Sequence, residues 1–178
     1  MRASRTDTSR VLKRLRSEGG FGLVELLMAM VILNIGLLAV VAAFSSGIIW
    51  LNRASRITTA SVLADQQMEL YRALTYASIR LDTTAVGSTD QKYKDDPLLG
   101  GSTASLVTAT CSGPPNECNP SRVATGADRK SYRVDTYIQQ ITPTGGRPVK
   151  KVTIVVRDTA NLALTFVRQA STFDQSTG

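Results

Sequence analysis

A long apolar run near the N-terminus limits, more than any other feature, what this chain can fold into. Residues 26–50 include no charged side chain, and the clearly polar residues among them are Asn34, Ser45 and Ser46. An α-helix rises about 1.5 Å per residue, and the hydrocarbon core of a bilayer is about 30 Å thick. About twenty residues are therefore enough to cross it, and the run predicts a membrane-spanning helix.

Both ends of the apolar run have the composition of a membrane boundary. The first twenty residues contain six basic and two acidic residues, so they supply more than half of the net charge of +7. Basic residues beside a span favour the cytoplasmic side, which predicts a cytoplasmic N-terminus with the rest of the chain in the periplasm or outside the cell. At the other end, Trp50 is followed by Asn52 and Arg53, and tryptophan is typical of the membrane–water interface.

Three kinds of segment combine a basic leader with an apolar helix: a secretory signal, an uncleaved anchor, and a leader that is cleaved before the helix. A secretory signal has its small-residue cleavage site after the apolar region, whereas Gly19 and Gly20 come before it. An ordinary anchor does not explain Glu25, because an unpaired charge inside a span costs about 2.5–3.5 kcal/mol. The third kind of segment fits both observations.

Residues 20–27, Gly-Phe-Gly-Leu-Val-Glu-Leu-Leu, resemble the class III signal of type IV pilins and type II secretion pseudopilins. The resemblance implies that an inner-membrane prepilin peptidase cleaves after Gly20 and methylates the amine of Phe21. It also implies that Glu25, the fifth residue of the cleaved chain, pairs with the amine of a neighbouring subunit during assembly of a filament.

Physical reasoning supports the same ion pair. After cleavage, the amine of Phe21 and the carboxylate of Glu25 are about one helical turn apart, so they can pair within a chain or between chains. Between chains the pair would fix the register of neighbouring helices, because a lone ion in a dry bundle is much costlier than a paired one.

The helix departs from the pattern of major pilins at one position. Those proteins commonly have a proline about two thirds of the way along the helix, whereas this chain has Ala42 there and no proline before Pro97. Residues 28–43 are most similar to minor pilins of the pilus-modification subfamily. In this segment Asn34 is a candidate for a hydrogen bond across helices, and Gly36 is a candidate for close helix approach. The alternative is that both residues are only tolerated in the membrane and have no specific role.

Beyond Trp50 the helical period continues as an amphipathic segment that is expected to end near Arg80. Its predicted apolar stripe consists of Ile57, Leu63, Leu70 and Leu74. Its predicted polar side consists of Asp65, Gln66, Gln67, Glu69 and Arg72.

Residues 81–130 are rich in Thr, Ser, Gly, Asp and Pro and predict a long connecting region around the head. Cys111 and Cys118 lie in it, and in an exported domain they are expected to form a disulfide. Asp90, Asp95 and Asp96 suggest a calcium loop or a solvated charged loop, and the spacing of an EF-hand is absent.

The C-terminal third predicts a three-stranded antiparallel meander. Residues 132–139 alternate in polarity, residues 149–157 are β-branched, and residues 162–167 alternate again. Turn residues separate the three segments. Since a small isolated sheet is only marginally stable, the amphipathic half of the helix is expected to cover its apolar face.

The predicted fold class is α+β: a long N-terminal helix packed on a small antiparallel head, the lollipop arrangement of pilins. The expected organisation is a cleaved leader at 1–20, a membrane-spanning or filament-core half-helix at 21–50, an amphipathic half-helix at 51–80, a connecting region at 81–130 and the head at 131–178.

Composition argues against most catalytic functions. The chain contains no histidine, which excludes histidine-based triads and His-ligated zinc. No Gly-x-Ser-x-Gly, Ser-x-x-Lys or phosphate-binding glycine loop stands out. We expect no enzyme activity, no cofactor and no metal; a membrane-anchored enzyme with an unrecognised site is the alternative from another class.

The resemblance implies a structural subunit, first a minor pilin of a type IV pilus and alternatively a minor pseudopilin of type II secretion or a subunit of a competence filament. Its expected partners are prepilin peptidase, other pilins or pseudopilins, membrane lipid, and an inner-membrane platform driven by a cytoplasmic ATPase. Nucleic acid is not an expected partner, because the soluble part is only mildly basic and has no aromatic-basic stripe.

Overall fold

The structure is a computed structural model that describes residues 22–111 and 115–176. The predicted leader, Gly20 and Phe21 lie outside the described residues. The chain divides into two compact units, Met1–Ile49 and Trp50–Gly178.

A single α-helix, α1, spans Leu23–Arg72. Its sequence is rich in Leu, Ala and Met, which favour helices, and it contains no proline to interrupt the backbone hydrogen bonds. The helix ends at Arg72, earlier than the predicted end near Arg80. The chain turns away because Thr75 is extended and precedes a 3₁₀ turn at Tyr76–Ser78.

The buried side of α1 differs from the predicted stripe. Ile57 is 39% exposed, and Leu70 and Leu74 are only partly buried, so Leu63 alone among the four predicted residues is fully buried. The true stripe recurs every three or four positions and includes two alanines, which let the helix approach the sheet closely. It consists of Ala60, Leu63, Ala64, Gln67, Met68 and Tyr71.

The head is built on one four-stranded antiparallel sheet in the order β3-β4-β5-β6. The strands are β3 at Ser121–Thr125, β4 at Ser131–Ile141, β5 at Val149–Asp158 and β6 at Thr165–Phe173. The prediction of an α+β fold is confirmed. The predicted three-stranded meander lacked one strand, β3, which lies in the segment that was predicted to be a connection.

The connecting segment between α1 and the sheet is a layer of short elements. Strands β1 at Leu81–Asp82 and β2 at Thr108–Ala109 pair in parallel. Three short helices complete the layer: α2 at Thr83–Gly87, α3 at Gln91–Lys94 and α4 at Pro115–Cys118. A second 3₁₀ turn spans Thr103–Ser105. Asp82 and Asp90 cap α2 and α3 by accepting hydrogen bonds from backbone amides.

Both faces of the sheet are covered by other parts of the head. The sequence predicted only one covered, apolar face. Residues 132–138 of β4 are all buried, although neighbouring residues point to opposite faces. The face that includes Val134 packs with α1, where Gln67 accepts a hydrogen bond from Arg122 at 2.8 Å. On the opposite face, the ring of Tyr137 stacks on that of Tyr93, with centroids 4.5 Å apart.

Gly126, in the turn between β3 and β4, lies close to α1. A Cβ added there would lie 2.3 Å from the Thr59 methyl group and 2.9 Å from the Tyr132 ring. Any side chain at position 126 therefore has to displace the side chains of Thr59 and Tyr132 or the backbone that carries them.

We predict that Gly126→Ala lowers the free energy of unfolding of the head by about 1–3 kcal/mol, the usual cost of overpacking. The measurement is denaturant unfolding of the full chain in detergent, followed by the near-UV circular dichroism of its buried tyrosines. Gly87→Ala is the matched control, because a Cβ added at Gly87 meets nothing within 4 Å. Equal stability of the two variants would contradict the close approach.

Candidate functional site

The first half of α1 is an apolar surface that the described part of the chain leaves uncovered. Every residue from position 22 to 55 is exposed, and large side chains such as Leu23 and Leu33 are 78% and 72% exposed. By length and composition the helix is able to cross a membrane, with a mean hydropathy of 2.7 in its most apolar window. Such a surface is stable only in lipid or against other apolar surfaces.

The polar residues inside the apolar run bond to their own helix. The side-chain amide of Asn34 donates to the Met30 carbonyl at 2.9 Å, and Ser45 donates to the Val41 carbonyl at 3.0 Å. Ser46 donates in the same way to the carbonyl of Ala42 at 3.1 Å. These local bonds lower the cost of placing each side chain in an apolar medium. The bond of Asn34 to another helix stays a prediction.

Gly36 lies on open surface, because an added Cβ would meet nothing within 4 Å. This leaves room for the close approach of another helix that the sequence suggested.

Glu25 lies in the first turn of α1, with an exposed side chain. The first helical hydrogen bond described is donated by the Leu26 amide to the Gly22 carbonyl at 3.1 Å. A carboxylate here is favoured by the positive end of the helix dipole. Gly20 and Phe21 precede the described residues, so the pairing of Glu25 with the amine of Phe21 stays a prediction.

The acidic stretch of the connecting segment is bound by arginines of the sheet. Asp96 is buried and accepts hydrogen bonds from Arg157 and, at 2.9 and 3.1 Å, from Arg168. Asp90 accepts hydrogen bonds from Arg133. The solvated loop expected from the sequence is therefore wrong for Asp96. Among the described residues, no group of three or more His, Cys, Asp or Glu could hold a metal ion.

Asp135 joins these ion pairs into one network at the centre of the sheet. Its carboxylate is fully buried and accepts hydrogen bonds from Arg133 at 2.7 Å and from Arg157 at 3.0 Å. It also accepts one from the Ser121 hydroxyl at 2.7 Å. Sequence reasoning placed Arg133 and Asp135 on the polar side of a strand and missed that the connecting segment buries them.

The contacts of the network keep its outer carboxylates ionised. The hydrogen bond from Arg133 lowers the pKa of Asp90. Burial acts to raise the pKa of Asp96, but the hydrogen bonds from Arg168 and the Leu98 amide, with the charges of Arg168 and Arg157, outweigh it and lower the pKa. A lowered pKa stabilises the fold above the pKa of the unfolded chain, about 3.9, and this contribution is lost as the pH falls through the folded pKa.

Cys111 and Cys118 form a disulfide, as the sequence predicted for an exported domain. The loop that it closes is tied to the rest of the head on two sides. The Cys111 amide donates to the Asp82 carboxylate at 3.1 Å, and the Tyr71 hydroxyl at the end of α1 donates to the Glu117 carbonyl at 2.9 Å. Burial raises the pKa of Tyr71 to about 12, so the hydroxyl stays a donor at any physiological pH.

Comparison with known families assigns the N-terminal segment. The family model of the prokaryotic N-terminal methylation motif matches residues 15–41, which include Glu25 and the first part of α1. No curated protein and no solved structure matches this chain significantly.

The motif indicates a type IV pilin-like protein, and the exposed apolar helix fits that indication. A motif of this kind implies processing by a prepilin peptidase and assembly with other pilins, and its family is structural rather than enzymatic. The apolar helix fits a protein anchored in the inner membrane.

We predict that Asp96→Asn lowers the free energy of unfolding of the head by about 3–5 kcal/mol near neutral pH, because the variant removes the buried carboxylate that pairs with Arg157 and Arg168 and leaves Arg157 with Asp135. The loss of stability between about pH 5 and pH 3 should be shallower in the variant, since one titrating carboxylate is gone.

The measurement is denaturant unfolding of the full chain in detergent at a series of pH values. Asp95→Asn is the matched control, since Asp95 is exposed and its carboxylate accepts a hydrogen bond only from Gln91 among the described side chains. If both variants are equally stable at neutral pH, the buried network does not hold the connecting segment on the sheet.

Proposed function

We propose that this chain is a minor pilin-like structural subunit of a type IV pilus or a related filament. In this proposal, prepilin peptidase cleaves after Gly20 and methylates the amine of Phe21, and the mature chain enters the filament through α1. The observation that carries the proposal is the coincidence of the methylation motif with a helix whose apolar surface is exposed along its first half.

The exposed half of α1 is suited to two apolar environments, which the chain occupies one after the other in this proposal. Before assembly, lipid covers the apolar side chains of residues 26–50. In a filament, the same side chains pack against the helices of neighbouring subunits, which replaces one apolar environment with another. The basic leader supports a cytoplasmic N-terminus with the head in the periplasm or outside the cell.

The energy for moving the chain from membrane to filament has to come from another protein. The sequence has no phosphate-binding loop of the Gly-x₄-Gly-Lys-Ser/Thr type. We assign this work to a cytoplasmic ATPase that acts through an inner-membrane platform, with other pilins as the partners in the filament.

A minor pseudopilin of type II secretion is the second candidate. It is supported by the unbroken course of α1 from Leu23 to Arg72, because pseudopilins, like minor pilins, often lack a kinking proline. Deletion of the gene distinguishes the two functions. Loss of surface pili with normal release of exoproteins supports the pilin, and the reverse result supports the pseudopilin.

We predict that the mature chain begins at N-methylated Phe21 and that processing stops in Gly20→Val, since the peptidase requires the glycine at the cleavage site. Intact-mass and N-terminal peptide analysis of membrane-extracted protein, with and without active prepilin peptidase, provides the measurement. The same substitution at the neighbouring glycine, Gly19→Val, is the control and should still be cleaved. An unprocessed start at Met1 in the presence of the peptidase would sink the proposal.

We predict that Glu25→Gln is processed normally but enters filaments at least tenfold less than the wild type. The amine of Phe21 then lacks its carboxylate partner, and a buried charge without a partner costs about 3–5 kcal/mol, more than the 1.4 kcal/mol of a tenfold effect. Immunoblots of sheared filaments against membrane fractions measure the ratio. Glu69→Gln, an exposed carboxylate later on the same helix, is the control and should assemble normally.

A further inference from the structure

A cleft of about 560 Å³ opens in the second unit where the apolar run of α1 ends. Its walls come from the first turns after Trp50, from the turn that precedes β4 and from the start of β6 with the residue before it. The residues that matter for its chemistry are Asn52, Arg53, Arg56, Lys130, Leu164 and Phe166.

The cleft combines an apolar wall with three cations. Leu164 and Phe166 supply the apolar wall, and Arg53, Arg56 and Lys130 supply the charge. Among the described residues that line it, none is acidic. A cleft of this kind suits a ligand with an anionic group next to an apolar one.

The fold holds the guanidinium of Arg56 and the backbone of Lys130 in place. Arg56 donates a hydrogen bond to Asp158 at 2.9 Å, and its guanidinium lies 5.3 Å from the centroid of the Phe166 ring. The backbone of Lys130 is fixed by the turn, because the Gly126 amide donates to its carbonyl at 2.9 Å. Asp158 pairs with Arg56, and Asp128 offsets part of the charge of Lys130, so the three cations of the lining exceed these two carboxylates by one.

The cleft adjoins the predicted surface of the bilayer. Arg53 lines the cleft, and its guanidinium lies 6.0 Å from the centroid of the Trp50 ring, which is the interfacial residue at the end of the span. Along a helix, Arg53 is about 4.5 Å and Arg56 about 9 Å beyond Trp50, which is the depth of the lipid headgroups.

We infer that this cleft binds the headgroup of an anionic phospholipid in the leaflet at the Trp50 end of the span. The phosphate lies between Arg53 and Lys130, and the start of the acyl region lies against Leu164 and Phe166. Basic side chains at a membrane surface attract anionic lipid in this way. The inference rests on the membrane-anchored stage of the proposed function, before the chain enters a filament.

Trp50 is the only tryptophan of the chain and reports on this site directly. The full chain is reconstituted into vesicles of phosphatidylcholine with a fixed minor fraction of phosphatidylglycerol. In one preparation the phosphatidylglycerol is brominated, and in the other an equal amount of the phosphatidylcholine is brominated. Bromine quenches tryptophan fluorescence at short range, so the ratio of quenching in the two preparations measures which lipid lies beside Trp50.

The expected result is quenching at least about twofold stronger by brominated phosphatidylglycerol, falling to about equal quenching in the double variant Arg53→Gln with Lys130→Gln. The matched control is Lys92→Gln with Lys151→Gln, which removes the same charge from two lysines that do not line the cleft and should keep the preference.

Each other outcome overturns the inference in a different way. Equal quenching by both lipids in the wild type shows that the span is inserted but the cleft does not select anionic lipid, and it favours an acidic surface of a neighbouring subunit as the occupant. Loss of preference in both double variants shows general attraction by net charge instead of a site. Absence of quenching by either lipid shows that Trp50 is not at a membrane, which also removes the membrane stage of the proposed function.

Discussion

The apolar surface of the first half of α1 is the constraint on which the rest of this molecule depends. Within the described residues, nothing covers the side chains of positions 22–55, and water is an unfavourable environment for so much contiguous apolar area. This part of the chain therefore needs an apolar environment, which either lipid or other helices can provide. The head must fold without help from that surface, and it does so with a core drawn from the later turns of α1, the connecting layer and both faces of the sheet.

The sequence predicted the features that are written in local patterns. The apolar run predicted α1, and the alternation of residues 132–139 predicted β4. The two nearby cysteines, Cys111 and Cys118, predicted the disulfide. The methylation motif was recognisable from Gly20, Phe21 and Glu25 because they lie within six positions of the chain, although the first two are outside the described residues. These elements depend on neighbours in the chain, which is the information that a single sequence contains.

The features that the sequence did not predict depend on partners far apart in the chain. Asp96 is buried because Arg157 and Arg168, more than sixty residues later, neutralise it. Gln67 has a polar side chain on the buried stripe of α1 because Arg122 donates a hydrogen bond to it. Strand β3 is short and has little alternation of its own, and its pairing with β4 defines it. The local sequence around Asp96 and Gln67 predicts exposed polar side chains. Their burial becomes evident only from the distant residues that bond to them.

The internal hydrogen bonds of Asn34, Ser45 and Ser46 have a consequence for the movement of the helix between environments. Each of these side chains carries its acceptor with it on the same helix. Transfer from one apolar medium to another therefore breaks no bond from these donors and requires no new acceptor on arrival. The cost of moving these three side chains between apolar media is therefore small, and the free energy of any such transfer depends mainly on van der Waals contact and on the ion at the helix start.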